Sequence, residues 1–184
     1  MIAPPFRFTV DQYDRMVEAG ILTEDDRVEL LRGEIVPKMP IGSRHAAVVN
    51  RLVRLLGSRI VGRAVLAAQN PIHLADSEPE PDLAMLHPRS DDYESGHPGP
   101  ADVFALIEVA DSSLDRDRDE KAPLYAENGI PEYWIIDLDS DTVLVHRNPR
   151  PDGAWADVTT RRRGDGLDVA ALPGVTIAVA DVLP

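Results

Sequence analysis

Two carboxylates and one ammonium between Pro81 and Lys121 suggest metal-assisted chemistry on a phosphate ester. Asp82 opens the apolar segment Asp82-Leu83-Ala84-Met85-Leu86, Glu108 falls near the end of Val103–Val109, and Lys121 ends Asp117-Arg118-Asp119-Glu120-Lys121. Carboxylate oxygens suit a hard cation such as Mg²⁺ or Mn²⁺. Such an ion lowers the pKa of a bound water and polarises a scissile phosphate. An ammonium nearby can stabilise charge that develops on the phosphate. None of this follows unless the three side chains meet in space.

The elements that carry them decide that. Residues 82–86 predict a short strand. Residues 103–109 predict a central strand, apolar on both faces until Glu108. Between them runs a long turn-rich loop, residues 87–102, of a kind that is usually functional or mobile. If the two strands pair antiparallel, the start of the first lies beside the end of the second. Asp82 and Glu108 then share one end of the sheet, and the loop lies at the other. Residues 117–127 predict a helix with Leu124 and Tyr125 towards the core. Pro123 requires this helix either to begin near residues 119–121 or to kink. Asp117 and Lys121 are four apart, so a surface ion pair also accounts for them.

Upstream, Thr9 and Gln12 form a capping-box pattern, with Phe8 placed to pack on Tyr13 and Gly20 at the far end. The runs around Arg32-Gly33 predict a hairpin that carries Glu29 and Glu34. Ser43 is placed to cap a helix running to about Leu56, with an apolar face of Val49, Leu52, Val53 and Leu56. His45 in its first turn points towards that face, where a histidine packed in the core is the simpler reading. Gln69 ends the apolar run 64–68 and needs a partner if buried. Residues 132–137 and 142–146 predict a second hairpin, 155–160 a further strand, and 175–179 a closing apolar segment.

The chain has 184 residues, no cysteine and a formal net charge of −13. The length fits one domain, residues 1–184. Without cysteine there are no disulfides and no thiolate metal sites. No apolar run approaches the roughly 20 residues that span a bilayer, and the N-terminus lacks a secretory pattern. A cytoplasmic protein with no membrane association is expected. The charge argues against loose, sequence-independent binding of nucleic acid, but leaves room for a local basic groove. Arg44, Arg51 and Arg161 to Arg163 are the candidates for one.

Taken in order, several stretches together resemble the Uma-two family of restriction-endonuclease-like proteins, within the PD-(D/E)XK nuclease superfamily. They are Val28–Val36, Ser43-Arg44-His45, Pro81-Asp82, Glu108-Val109, Asp117–Lys121 and Tyr125–Asp137. The resemblance covers about residues 8–180 and rests on the ordered set, since no single piece is specific. It implies an α/β (α+β) fold with a restriction endonuclease-like core: a central mixed β-sheet flanked by helices. It maps the metal-holding pair to Asp82 and Glu108. The superfamily's usual lysine stands two residues after the glutamate, a position that is Ala110 here, and the resemblance transfers that role to Lys121. His45 joins the catalytic set, with Glu29, Glu34 and Gln69 in supporting positions.

The expected function is Mg²⁺- or Mn²⁺-dependent endonucleolytic cleavage of DNA, with a homodimer as the form that cuts both strands. Two alternatives come from other classes. One is a weakly active or inactive nuclease-fold module that binds a partner, favoured by the net charge and Ala110. The other is a metal-dependent phosphodiesterase acting on a small nucleotide, which needs no basic groove. The charge around Asp82 and Glu108 separates them: a basic rim supports DNA, an acidic rim the module.

Overall fold

The computed structural model describes residues 5–184. Its centre is a six-stranded mixed sheet in the order β3-β4-β5-β6-β7-β8. The strands are β3 (Val65–Ala68), β4 (Leu83–Leu86), β5 (Val103–Ala110), β6 (Glu132–Asp137), β7 (Thr142–Pro149) and β8 (Trp155–Arg161). All neighbours pair antiparallel except β5 and β6, which are parallel. Parallel neighbours need a long crossover connection, and the helical segment between β5 and β6 supplies it. Two small hairpins complete the strands. The first pairs β1 (Val28–Leu31) with β2 (Glu34–Pro37), and the second pairs β9 (Gly166–Asp168) with β10 (Thr176–Ala178).

Alternation along the strands sorts side chains between two apolar layers. Leu83, Met85, Ala105, Ile107 and Val109 face one layer, which helix α2 (Ser43–Gly57) and the C-terminal residues 167–183 cover. Ala84, Leu106 and Ala110 face the other, with Leu124 and Tyr125. By the same alternation Asp82 and Glu108 belong to the second face. Both layers are made of apolar side chains, so the sheet centre is apolar and the polar groups collect at the strand ends.

Helix α1 (Val10–Glu18) has the expected capping box. Gln12 N donates to Thr9 Oγ1 at 3.2 Å, and Thr9 N donates to Gln12 Oε1 at 3.0 Å. The hairpin turn Arg32-Gly33 holds both residues at positive φ, 49° and 75°, as a two-residue hairpin turn demands. Helix α2 differs from expectation in two details. Its cap is Gly42 rather than Ser43, and its buried stripe is Val48, Leu52, Leu55 and Leu56. Val53 is exposed. The spacing 48, 52, 55, 56 is the helical period with the stripe rotated from the expected one. His45, three residues before Val48, lies at the head of that stripe.

The β5–β6 connection resolves the question that Pro123 poses. Helix α3 (Leu114–Arg116) runs into a single π-helical turn, Asp117–Lys121, and then into α4 (Ala122–Glu127). Ala122 N donates to Asp117 O, a bond across five residues. Pro123 has no N–H to offer a preceding carbonyl, so the wider turn ahead of it leaves no ordinary helical bond broken. The chain closes with α5 (Val179–Val182). Among the described residues no helix is long and apolar enough to cross a membrane.

Candidate active site at the β4–β5 end

The pairing of β4 with β5 sets Leu83 opposite Ile107, which brings Asp82 beside Glu108. The two carboxylates tie the strands together reciprocally. Asp82 N donates to Glu108 Oε2 at 3.2 Å, and Val109 N donates to Asp82 Oδ2 at 2.8 Å. The same Oδ2 meets His45 Nε2 at 2.9 Å. Among the described residues Asp82 Oδ1 accepts no hydrogen bond, and the buried His45 Nδ1 has no partner.

Lys121 completes the cluster. Its Nζ lies 2.9 Å from Glu108 Oε1 and 3.1 Å from Glu29 Oε2. Lys121 and Asp117, four apart in sequence, are both buried, which overturns the surface ion-pair reading. The π turn carries them inward beneath the end of β5. Asp117 Oδ2 accepts from the Ser113 hydroxyl at 2.6 Å. Tyr125 OH approaches Glu108 Oε1 at 3.5 Å.

Glu108 and Glu29 therefore contact the one ammonium, Asp117 stands near enough to raise it, and Asp82 adjoins Glu108. Burial pushes the Glu108 carboxyl well above the usual range; Lys121 opposes the shift, while Asp117 and Asp82 add to it. Burial works against the Lys121 ammonium, but Glu108, Tyr125, Glu29 and Asp117 raise it well above an ordinary lysine. Asp117 is raised chiefly by burial. The Asp82 hydrogen bond raises His45, against burial.

A cavity of about 840 Å³ opens over these groups, lined by Glu29, His45, Gln69, Asp82, Glu108 and Lys121 among others. Gln69 reaches the cavity from an exposed position with φ of 54°, and its N–H donates to Asp82 O at 3.2 Å. Glu34 does not join. It is exposed and pairs with Arg7 at 2.9 Å. In the β1–β2 register Glu29 faces Val36 and Leu31 faces Glu34, so Glu34 sits at the turn end, roughly 7 Å along the strand from Glu29's partner.

The arginines named as candidates for a basic rim do not form one here. Arg44 is held by Asp111 and Asp139, each at 3.2 Å, and Arg51 donates to Val182 O at 3.3 Å. Neither these residues nor Arg161 to Arg163 line the cavity. Its mouth carries Asp14, Glu18, Glu24, Glu80 and Asp111 against Arg27, Lys38 and Arg116.

Sequence reasoning did not anticipate that Asp117 is buried beside the cluster, nor that the proline-rich acidic approach to Asp82 lines the cavity. Glu78, Glu80 and Asp82 alternate with the buried Pro79 and Pro81, and all three acids line the cavity. The alternation Glu-Pro-Glu-Pro-Asp was the available signal, because alternate residues of an extended segment share a face.

Comparison with known proteins agrees with this architecture. A search of curated proteins finds no match. Among solved structures, the chain is similar to the "putative nuclease belonging to DUF820 from Anabaena variabilis ATCC 29413". The TM-score is 0.73 at 19% identity, over 95% of this chain and 97% of that one. At that identity the likeness concerns the fold. The model of the Uma2 family, described as "Putative restriction endonuclease", matches residues 10–180. That span runs from α1 to α5 and contains every residue of the cluster, and the chain belongs to the Uma2 family.

Proposed function

We propose that the protein is a metal-dependent nuclease that hydrolyses DNA phosphodiester bonds at the Asp82–Glu108–Lys121 cluster. The observation that carries this reading is the convergence of those three side chains, from the residue before β4, from β5 and from the π turn, on the wall of one cavity.

The donor set fits a hard divalent cation. The carboxyl oxygens of Asp82 and Glu108 are of the type that Mg²⁺ and Mn²⁺ prefer, and a bound cation would offset the burial that raises Glu108. Asp82, with Oδ1 free of hydrogen bonds, and Glu108 would hold the ion. When bound, it would lower the pKa of its water and polarise the scissile phosphate.

The chain's own groups have distinct tasks. An ammonium has three N–H donors, and Glu108 and Glu29 engage two of those on Lys121. The third is available to a phosphate oxygen or to the attacking hydroxide. Glu29 fixes the Lys121 head from the hairpin side. His45 orients the Asp82 carboxylate through Nε2. Val109 N–H steadies Asp82 from the neighbouring strand.

Incubation with plasmid and linear duplex DNA in Mg²⁺ or Mn²⁺ tests the reading. Cleavage is expected, with loss in Glu108→Ala and Lys121→Ala; activity that survives either change intact removes this site from the mechanism. The acidic mouth of the cavity favours a second reading, a nuclease-fold module that binds a partner without cleaving DNA. No calorimetric affinity for Mg²⁺ or Mn²⁺ would support the module.

A further inference from the structure

Away from the carboxylate–lysine cluster, the same cavity holds a second group of ligand-type side chains. His73 follows the bend after β3, Glu78 stands on the extended rail before β4, and His97 comes from the long loop before β5. One ligand atom from each lies within 4.8 Å of the other two. The two imidazole rings meet edge to face, with centroids 5.1 Å apart.

The carboxylate of this group is buried and incompletely satisfied. Glu78 is 5% exposed. Its Oε2 lies 2.8 Å from His73 Nε2, but without the alignment of a hydrogen bond. Among the described residues, neither atom has a hydrogen-bonding partner. A buried carboxylate oxygen left unpaired costs free energy, and burial with Asp14 beside it pushes the Glu78 carboxyl up to about 8, a cost that a bound cation would relieve. Asp14 Oδ1 stands 3.7 Å from His73 Nε2 and adds negative charge.

We propose that His73, Glu78 and His97 bind Zn²⁺. Two imidazoles and one carboxylate form the donor set of zinc sites that keep a fourth position open, and imidazole selects borderline transition metals over Mg²⁺. Ligand atoms around tetrahedral zinc stand roughly 3.3 Å apart. His97 is exposed on its loop and has the freedom to close the remaining distance. The backbone already favours that approach, since His73 N donates to Pro98 O at 2.9 Å. Bound zinc ties the 87–102 loop to the rail carrying Glu78, Glu80 and Asp82. The site is chemically separate from the proposed nuclease centre and does not depend on it.

The test is titration of the full chain with Zn²⁺ alone, followed by X-ray absorption at the zinc edge. It is run in a Glu108→Gln variant so that the carboxylate cluster contributes less. The expected result is one tight equivalent with imidazole in the zinc shell, not displaced by excess Mg²⁺. His97→Ala and His73→Ala should each weaken zinc at least about tenfold, since even loss of an outer-shell partner costs that much. His97→Ala decides the matter should His73→Ala fail to fold, because His97 is exposed. Zinc affinity unchanged in His97→Ala, or a shell without imidazole, overturns the proposal.

Discussion

Asp82 and Glu108 each hold the other's strand: Glu108 Oε2 accepts the Asp82 N–H at 3.2 Å, and Asp82 Oδ2 accepts the N–H of Val109, next to Glu108, at 2.8 Å. Two carboxyl groups are thus locked side by side by the backbone pairing of β4 with β5. Under the proposed nuclease function, such an arrangement trades stability for activity, as natural active sites do.

Asp82→Asn tests that trade. An amide oxygen can still accept from Val109 N–H, while one charge leaves the cluster. The expected outcome is unchanged or raised stability, by up to about 1 kcal/mol, with cleavage reduced by at least roughly a hundredfold. Chemical denaturation and a DNA cleavage assay on the same preparation check both halves.

Lys121→Met should behave in the opposite way. Removing one partner of a buried ion pair leaves uncompensated charge and costs about 3 kcal/mol or more. Here Glu29 and Glu108 both lose their cation. A lower Tm together with lost cleavage is expected, and a Tm equal to wild type would show that the pair is not buried in solution.

Gly33→Ala probes the hairpin that presents Glu29. Gly33 has φ of 75°, and a Cβ there would stand 2.8 Å from Arg7 Cβ and 2.9 Å from Phe8 O. Strain of this kind costs about 1–3 kcal/mol. Urea denaturation should register the loss.

Stability should also fall on the acid side through His146. Burial beneath Tyr133 and Trp155 lowers this imidazole below its ordinary value, against a backbone contact with Tyr133 that raises it. The folded chain therefore resists protonation that the unfolded chain accepts near pH 6.5. The contribution is whole above that pH and is lost as pH falls through the folded value, at up to about 1.4 kcal/mol per pH unit. Urea denaturation at pH 5 and pH 7 should show a larger loss for wild type than for His146→Gln.

Asp82 and Glu108 were legible in the sequence because strand alternation and antiparallel succession both follow from local pattern. Lys121 was legible only through the family pattern. Its burial depends on a π turn, and a four-residue spacing reads as an ordinary surface pair. For Glu29, a single alternating run gives the face but not what covers it. The register of β1 with β2 then separated it from Glu34. The histidine site was illegible for a different reason: His73 and His97 come from irregular segments without periodicity, and only the folded chain brings them to Glu78.

The most direct measurement is calorimetric titration of Mn²⁺ into wild type and Asp82→Asn, both carrying His97→Ala to suppress the histidine site. If Asp82 and Glu108 form the metal centre, the wild-type cluster binds one Mn²⁺ and Asp82→Asn loses that binding while remaining folded. No Mn²⁺ affinity in the wild-type cluster, or equal affinity in both chains, would contradict it.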